Sequence, residues 1–143
     1  MELKSEIEIN ASPETVWKLL TDTSRFPEWN PFIRRLSGEL KVGQKLVVFM
    51  QPSGASGMEF KPEVLKVEPN RELRWLGRLI LPGLFDGEHI FKIESLGDKR
   101  VRFHQREIFT GILVPLLKKS LDANTRRGFN EMNRKLRELA ESK

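Results

Sequence analysis

Residues 113–139, LVPLLKKSLDANTRRGFNEMNRKLREL, form the longest periodic stretch of the chain. Apolar side chains recur there at the three- and four-residue spacing of an amphipathic helix. They are Leu113, Leu117, Leu121, Met132, Leu136 and Leu139. At 1.5 Å per residue this helix would be about 40 Å long, enough to cross a whole domain. The pattern predicts a long C-terminal helix with one buried face.

The middle of that helix face carries two small residues. Thr125 and Gly128 fall between Leu121 and Met132, where a packed helix normally places Leu or Ile. Because protein interiors are close-packed, something must occupy the space beside them. A large side chain from the sheet is one alternative, and a ligand or water is the other. Thr125 and Gly128 are therefore candidate ligand contacts.

The chain before this helix begins with one strand and two short helices. Residues 3–9 alternate charged side chains with Leu, Ser and Ile, which is typical of a half-buried strand. Ser12 and Pro13 then suit the start of a helix, as a cap and a first-turn residue. The string FPEWNPF, residues 26–32, contains two prolines, so it predicts a second short helix or a compact turn.

The central part of the chain reads as six strands separated by short turns rich in glycine and proline. The predicted strands lie near 32–38, 44–51, 58–68, 71–79, 85–95 and 100–109. Short connections favour antiparallel pairing, because parallel neighbours need long crossovers. The order β-α-α-β6-α predicts an α+β fold with seven strands, and residues 1–143 are expected to form a single domain.

Composition excludes several classes of function. The chain has no cysteine and two histidines, so no metal site and no cofactor is predicted. Its net charge is +5, but Lys and Arg are interspersed with acidic residues, which argues against nucleic acid as a partner. The N-terminal residues 1–6, MELKSE, do not resemble a secretory signal, and we predict a cytoplasmic protein.

One candidate site follows from strand parity near the end of the sheet. Gln105 and Glu107 share a side of their strand with apolar Phe103, so they should point inward. Antiparallel pairing with the preceding strand, whose inward side carries His89 and Phe91, would set His89 opposite Gln105 or Glu107. One interpretation is an acid–base pair in which Glu107 raises the pKa of His89. The other is a satisfied buried polar pair that holds the polar end of a ligand.

Further wall positions come from neighbouring strands and from the proline-rich string. Trp75 and Gly77 share a face, and Gly77 would allow a ligand or backbone to approach closely. Met50 and Phe60 are further candidates. Trp29 is predicted either as a lid over the cavity mouth or as a plug between helix and sheet.

Two connections are unusually apolar. They are residues 80–85, ILPGLF, and residues 112–117, ILVPLL, with Lys118 and Lys119 directly after the second. Packing of the two connections on each other is the first interpretation. Transient contact with an anionic membrane is the alternative, and we expect no stronger membrane association.

Four motifs, in order along the whole chain, resemble a known superfamily. They are IEINASPETVW (7–17), FPEWNPF (26–32), GEHIF (87–91) and EIFTG (107–111). The chain resembles the helix-grip, START-related superfamily (SRPBCC), and within it the polyketide cyclase/dehydrase-like branch. The resemblance implies a sheet curved around the last helix and an elongated cavity between them. It also implies an entrance near the second short helix and the neighbouring strand turns.

Three functions are compatible with these observations. The first is binding or carriage of a hydrophobic small molecule, such as a lipid, an isoprenoid or a polyketide-like compound, in that cavity. The alternative is a cyclase or dehydratase that uses Glu107 and His89 for acid–base chemistry without a metal. The third is a protein-interaction module. The oligomeric state is not predicted.

Overall fold

The N-terminal elements form as the local sequence predicts. The computed structural model describes residues 1–78 and 81–143. Strand β1 (Glu2–Ile9) leads into helix α1 (Pro13–Thr21). Ser12 caps this helix, since its Oγ accepts a hydrogen bond from the Thr15 amide at 3.1 Å. A single 3-10 turn, Thr23–Arg25, then connects to the short helix α2 (Phe26–Trp29).

The central region contains seven further strands instead of the six predicted. They are β2 (Ile33–Ser37), β3 (Val47–Met50), β4 (Met58–Phe60), β5 (Glu63–Glu68), β6 (Glu72–Arg78), β7 (Asp86–Gly97) and β8 (Arg100–Thr110). The predicted strand 58–68 is divided in two at Pro62, because proline has no amide hydrogen for a ladder bond. Leu79, at the end of the predicted strand 71–79, lies outside the described residues.

The strands pair antiparallel throughout, as predicted, but in two sheets. The larger sheet has the order β1-β8-β7-β6-β5, and the smaller has the order β2-β3-β4. The two are joined where Lys45 bridges to Glu63 and the Leu46 amide donates to the Pro62 carbonyl at 2.9 Å. The break at Pro62 therefore lets one continuous stretch of chain pass from one sheet to the other.

The long C-terminal helix α3 (Val114–Glu141) packs against the larger sheet and against Phe32, which directly precedes the smaller one, and this completes the predicted helix-grip fold. On the side of the larger sheet, Gln105 donates a hydrogen bond to Asn133 at 2.7 Å. On the other side, the Phe129 ring meets the ring of Phe32, just before β2, with centroids 5.9 Å apart. The grip thus depends on side chains from the C-terminal half of α3.

The N-terminal half of α3 is covered much less than the apolar spacing predicts. Apart from Val114, the buried residues of α3 begin at Gly128. Leu117, assigned from the sequence to the buried face, is 37% exposed. Its surroundings are open because the first turns of α3 extend beyond the part of the helix that the sheets cover.

The larger sheet separates an apolar face from a charged one. On β8, the residues that alternate from Val101 to Phe109 are buried, whereas Arg102, His104 and Arg106 lie on the outer side. The outer residues pair with acids on neighbouring strands, as Arg102 does with Glu8 at 3.1 Å. Gln105 and Glu107 therefore point inward, as predicted. Within residues 1–78 and 81–143, no helix is long and apolar enough to cross a membrane.

Candidate functional site

A cavity of about 170 Å³ lies between the two sheets and the N-terminal half of α3. The smaller sheet contributes apolar side chains such as Met50 and Phe60, and the larger contributes Glu107 and Phe109. Thr125 lines it from the helix. Its exposed lining residues belong to α3 and to residues 52–58. The latter range covers most of the β3–β4 connection and the first residue of β4. These two segments therefore form the mouth.

Two glycines in neighbouring strands make the floor of this cavity. Gly77 of β6 and Gly87 of β7 are directly paired, and both line the cavity. A Cβ atom on Gly87 would lie 3.3 Å from Glu107 Oε1 and 3.5 Å from the Phe109 ring. The space above the sheet exists because this pair has no side chains.

Glu107 is the buried ionisable group in the wall of this cavity. Its side chain lines the cavity although the residue is only 8% exposed, and its Oε2 atom has no hydrogen-bond partner among the described residues. Burial raises the pKa of Glu107 to about 8, with the negative charge of Glu88 as a second cause. At pH 7 Glu107 is therefore mostly a neutral acid whose proton is available to a hydrogen-bond acceptor.

His89 is Glu107's direct partner across the β7–β8 ladder and is completely buried. Burial lowers the pKa of His89 to about 3, although its hydrogen bond with Gln105 acts in the opposite direction. The interpretation in which Glu107 raises this pKa is wrong, because desolvation of the buried ring dominates and lowers it. His89 Nδ1 and Glu107 Oε2 are 4.0 Å apart, which is too long for a hydrogen bond, and neither group is charged at neutral pH.

A chain of hydrogen bonds fixes the protonation of the His89 ring. Gln105 uses its amide nitrogen to donate to Asn133 Oδ1 at 2.7 Å, so its Oε1 accepts from His89 Nε2 at 3.0 Å. The chain continues from Asn133 Nδ2 to Ser5 Oγ at 3.1 Å, and from there to Asn130 Oδ1 at 2.6 Å. Each donor in this relay thus gives its proton to the next residue, from His89 as far as Asn130. His89 Nδ1 consequently carries no proton and faces Glu107 as an acceptor.

The comparison with protein families agrees with this architecture. Residues 1–141 match the family described as polyketide cyclase / dehydrase and lipid transport. The chain belongs to this family. No curated protein matches it at a significant level.

Three solved structures with the same fold illustrate the similarity. The Zhui aromatase/cyclase from Streptomyces sp. R1128 superposes with a TM-score of 0.80 at 14% identity, over 99% of this chain and 93% of that one. A point mutant of norcoclaurine synthase from Thalictrum flavum, in complex with a transition-state analogue, gives 0.75 at 14% identity, over 99% and 94%. A START superfamily protein from Mycobacterium smegmatis gives 0.71 at 20% identity, over 96% and 98%. These similarities show the fold.

Within this cyclase/dehydrase family fold, the cavity brings together only some of the residues selected from the sequence. The residues that line it are Met50, Phe60, Gly77, Glu107 and Thr125. His89 and Gln105 are fully buried and do not line it, so any contact between them and a ligand would pass through Glu107. A ligand-binding role for all of these residues stays a prediction.

The expectation that Trp75, Phe91 and Phe103 line the cavity is not met. Each is almost completely buried in the core. The Trp75 ring packs edge-on against His89 and Phe91, with centroid distances of 5.4 and 5.2 Å. Because this aromatic cluster fills the centre of the fold, the cavity is displaced toward the start of α3.

Gly128 and Trp29 also lie outside the cavity lining. A Cβ atom on Gly128 would lie 2.3 Å from the ring of Phe32, so that ring already occupies the space predicted beside Gly128. Trp29 is partly buried against the core and meets Phe26 edge-on with centroids 5.4 Å apart. The residue that reaches the cavity from this region is Phe32, which directly precedes β2.

The sequence prediction missed several lining residues, among them Phe32, Phe85, Gly87 and Asn124. Gly87 could have been predicted from the sequence, because a hairpin that aligns His89 with Glu107 also places Gly87 beside Phe109. Phe32 and Phe85 are the first residues of the predicted strands 32–38 and 85–95 and lie one position before β2 and β7. The parity that places His89 inward also places Phe85 inward, so Phe85 could have been predicted as well. The lining from residues 52–56 has no periodic pattern at all.

Proposed function

We propose that this protein binds a small apolar molecule that carries one hydrogen-bonding oxygen, with the oxygen at Glu107. The observation that carries the proposal is the Glu107 carboxyl group, which lines the cavity, is neutral at pH 7 and has an Oε2 atom with no hydrogen-bond partner among the described residues. Oε2 is buried beside His89, whereas Oε1 lies toward Gly87 of the cavity floor, so a ligand acceptor meets the neutral acid on the Oε1 side and gains affinity there. The apolar walls favour the rest of the ligand.

Cavity size narrows the ligand class. The volume of about 170 Å³ is close to that of an engineered 150 Å³ cavity that holds benzene, and below the roughly 300–1,000 Å³ of drug-sized sites. One ring or a short chain therefore fits, and a longer ligand would extend through the mouth between residues 52–58 and α3. Membership in a family whose description includes polyketides and lipid transport supports such a ligand.

A matched pair of probes tests the polar contact. Acetophenone and ethylbenzene have nearly the same shape, but only acetophenone carries an acceptor oxygen. In an NMR titration we expect wild-type protein to bind acetophenone about fivefold more tightly, since a typical net hydrogen bond contributes about 1 kcal/mol. Glu107→Leu should abolish this preference and retain ethylbenzene.

The control variant is Glu39→Gln. Glu39 is an exposed carboxyl in the β2–β3 connection and does not line the cavity. It should keep the preference for acetophenone. Equal affinities for both probes in the wild-type protein, or no saturable binding of either, would refute the proposed ligand class.

A second candidate function is acid–base catalysis on a ketone-containing substrate. The specific observation in its favour is the pKa of about 8 for a carboxyl group that lines a ligand-sized cavity. Such a group can hold or accept a proton near neutral pH. His89, buried behind Glu107 and neutral, would act only by positioning it. The protein-interaction role stays a prediction.

Exchange of α-protons tests the catalytic candidate without knowledge of the natural substrate. In deuterated buffer, acetophenone should exchange its α-protons faster with wild-type protein than in buffer alone, and the rate should rise with pH through about 8 as Glu107 becomes the carboxylate base. Glu107→Gln should return the rate to that of the buffer. Binding of acetophenone with no acceleration would leave the binding function standing and exclude this one.

A further inference from the structure

Four apolar side chains are exposed at one end of the molecule, where the β6–β7 connection meets the start of α3. Leu81, Ile112 and Leu116 are 62%, 72% and 81% exposed, and Leu117 lies beside them in sequence at 37%. We call these four residues the apolar tip. Ile80, the first residue of the apolar connection 80–85, lies outside the described residues.

Backbone contacts hold the two segments of the apolar tip together. The Ile112 amide donates to the Gly83 carbonyl at 3.2 Å, and the Leu113 amide donates to Leu84 at 3.0 Å. Gly111, with φ of +120°, lies so close that a Cβ atom there would be 2.4 Å from the Leu84 oxygen. The connections thus pack on each other, as first interpreted from the sequence, yet they do so through backbone and leave the four side chains outside.

Charge around the apolar tip is mainly basic, because Asp86, the acid at its edge, is turned onto the backbone of the connection, where its Oδ2 accepts from the Gly83 amide at 3.2 Å. Residues 79–85 and 111–121 contain no Asp or Glu, and their only charged residues are Lys118 and Lys119. Both lysines are exposed. The nearest acid along the helix, Asp122, is already paired with Arg126. An exposed apolar surface with a basic flank matches the chemistry of an anionic lipid surface.

We propose that the apolar tip docks on the surface of an anionic bilayer. The four apolar side chains enter the interfacial layer, and Lys118 and Lys119 contact the acidic headgroups. A second copy of the chain fits less well, because self-association through this patch would bring the lysines of two copies together. Leu117 precedes Leu121, a cavity-lining residue, by one helical turn, so docking places the bilayer beside the cavity mouth.

Vesicle co-sedimentation of the full chain tests the proposal. The protein should bind vesicles of phosphatidylcholine with 30% phosphatidylglycerol and bind pure phosphatidylcholine much more weakly. The double variant Lys118→Gln, Lys119→Gln should lower the partition coefficient about thirtyfold, because each basic residue near an anionic surface contributes ~1 kcal/mol to binding. The pair Ile112→Glu and Leu116→Glu should lower it at least tenfold.

Matched controls lie in the β2–β3 connection. Val42 is another apolar residue with 60% exposure, and Lys41 and Lys45 flank it. Val42→Glu should leave the partition coefficient within twofold of wild type, and Lys41→Gln with Lys45→Gln should lower it less than the Lys118 and Lys119 pair does. Circular dichroism verifies that each variant folds.

Two results would overturn membrane docking. The first is an equal effect of the control and test variants. The second is a concentration-dependent dimer that Ile112→Glu and Leu116→Glu dissociate while vesicle binding is unchanged, since a second copy would then cover the apolar tip. The test is independent of the cavity: neither Ile112 nor Leu116 lines it, so their variants should bind acetophenone as wild type does.

Discussion

The two buried titratable groups at the cavity, Glu107 and His89, should give the protein a stability plateau between two pH-dependent arms. Glu107 keeps its proton in the folded state up to a pKa of about 8 but loses it near 4.5 when unfolded. Unfolding therefore releases a proton over this range, and stability falls as pH rises. His89 has a folded pKa of about 3 against 6.5 unfolded, so unfolding takes up a proton and stability rises with pH.

The magnitudes follow from the two windows. Each group changes the free energy of unfolding by about 1.36 kcal/mol per pH unit in the pH range between its folded and its unfolded pKa. Between pH 4.5 and 6.5 these two ranges overlap, and the opposite slopes cancel. Between pH 6.5 and 8 only Glu107 contributes, so stability should fall by about 2 kcal/mol. Below pH 4.5 the loss is due to His89 together with the surface carboxylates.

Urea denaturation followed by tryptophan fluorescence at several pH values measures this profile. Glu107→Gln should make the region from pH 6.5 to 8 flat, because the titrating group is gone. Glu39→Gln, a change at an exposed carboxyl, should retain the full decline. The carboxyl carbon of Glu107 should also titrate with a midpoint of about 8 in NMR.

Two outcomes would refute the reasoning. A Glu107 midpoint near 4.5 would mean that the cavity solvates the carboxylate as water does. If the free energy of unfolding of Glu107→Gln still fell by the full amount between pH 6.5 and 8, another group would be responsible for the decline. Either result would also remove the neutral donor from the proposed ligand site.

Three further predictions concern packing and the relay. Asn133→Ala leaves the buried Gln105 amide without its acceptor and should lower the unfolding free energy by about 1–3 kcal/mol, whereas Asn130→Ala, at the exposed end, should change it by less than about 0.5. Gly128→Ala should lower stability, because overpacking against the Phe32 ring costs about 1–3 kcal/mol and outweighs the helix-propensity gain of ~1 kcal/mol. The double variant with Phe32→Leu should recover part of the stability, and additive losses in the double variant would contradict the overpacking explanation. Gly87→Ala should weaken acetophenone binding at least tenfold in the same NMR titration, because its methyl group enters the cavity floor; unchanged affinity would place the ligand elsewhere.

Strand and helix predictions succeeded where one local period dominates. Alternation along 100–109 predicted that Glu107 and Gln105 point inward, and the two residues do so. The hairpin register predicted His89 opposite Glu107 or Gln105, and it pairs with Glu107. The break of the predicted strand 58–68 at Pro62 could also have been predicted, because proline has no amide hydrogen to donate to a neighbouring strand.

Predictions failed where the relevant neighbour is distant in sequence. Nothing near Gly128 indicates that Phe32 fills the space beside it, since the two residues belong to elements at opposite ends of the chain. The pKa of His89 depends on complete burial and on a neutral Glu107, and neither is visible in strand parity. The exposure of Leu117 reflects how far the sheets extend along α3, which helical periodicity does not contain.

Periodicity in the amino-acid chain was thus sufficient to specify the order of elements apart from the break at Pro62, the antiparallel pairing and the inward direction of Glu107. The position, volume and walls of the cavity came instead from the way two sheets and α3 meet. Periodicity is a property of backbone geometry repeated over a few residues. A void is the difference between the enclosed volume and the side chains that enter it, so it depends on contacts such as Phe32 with Gly128 that exist only once the chain is folded.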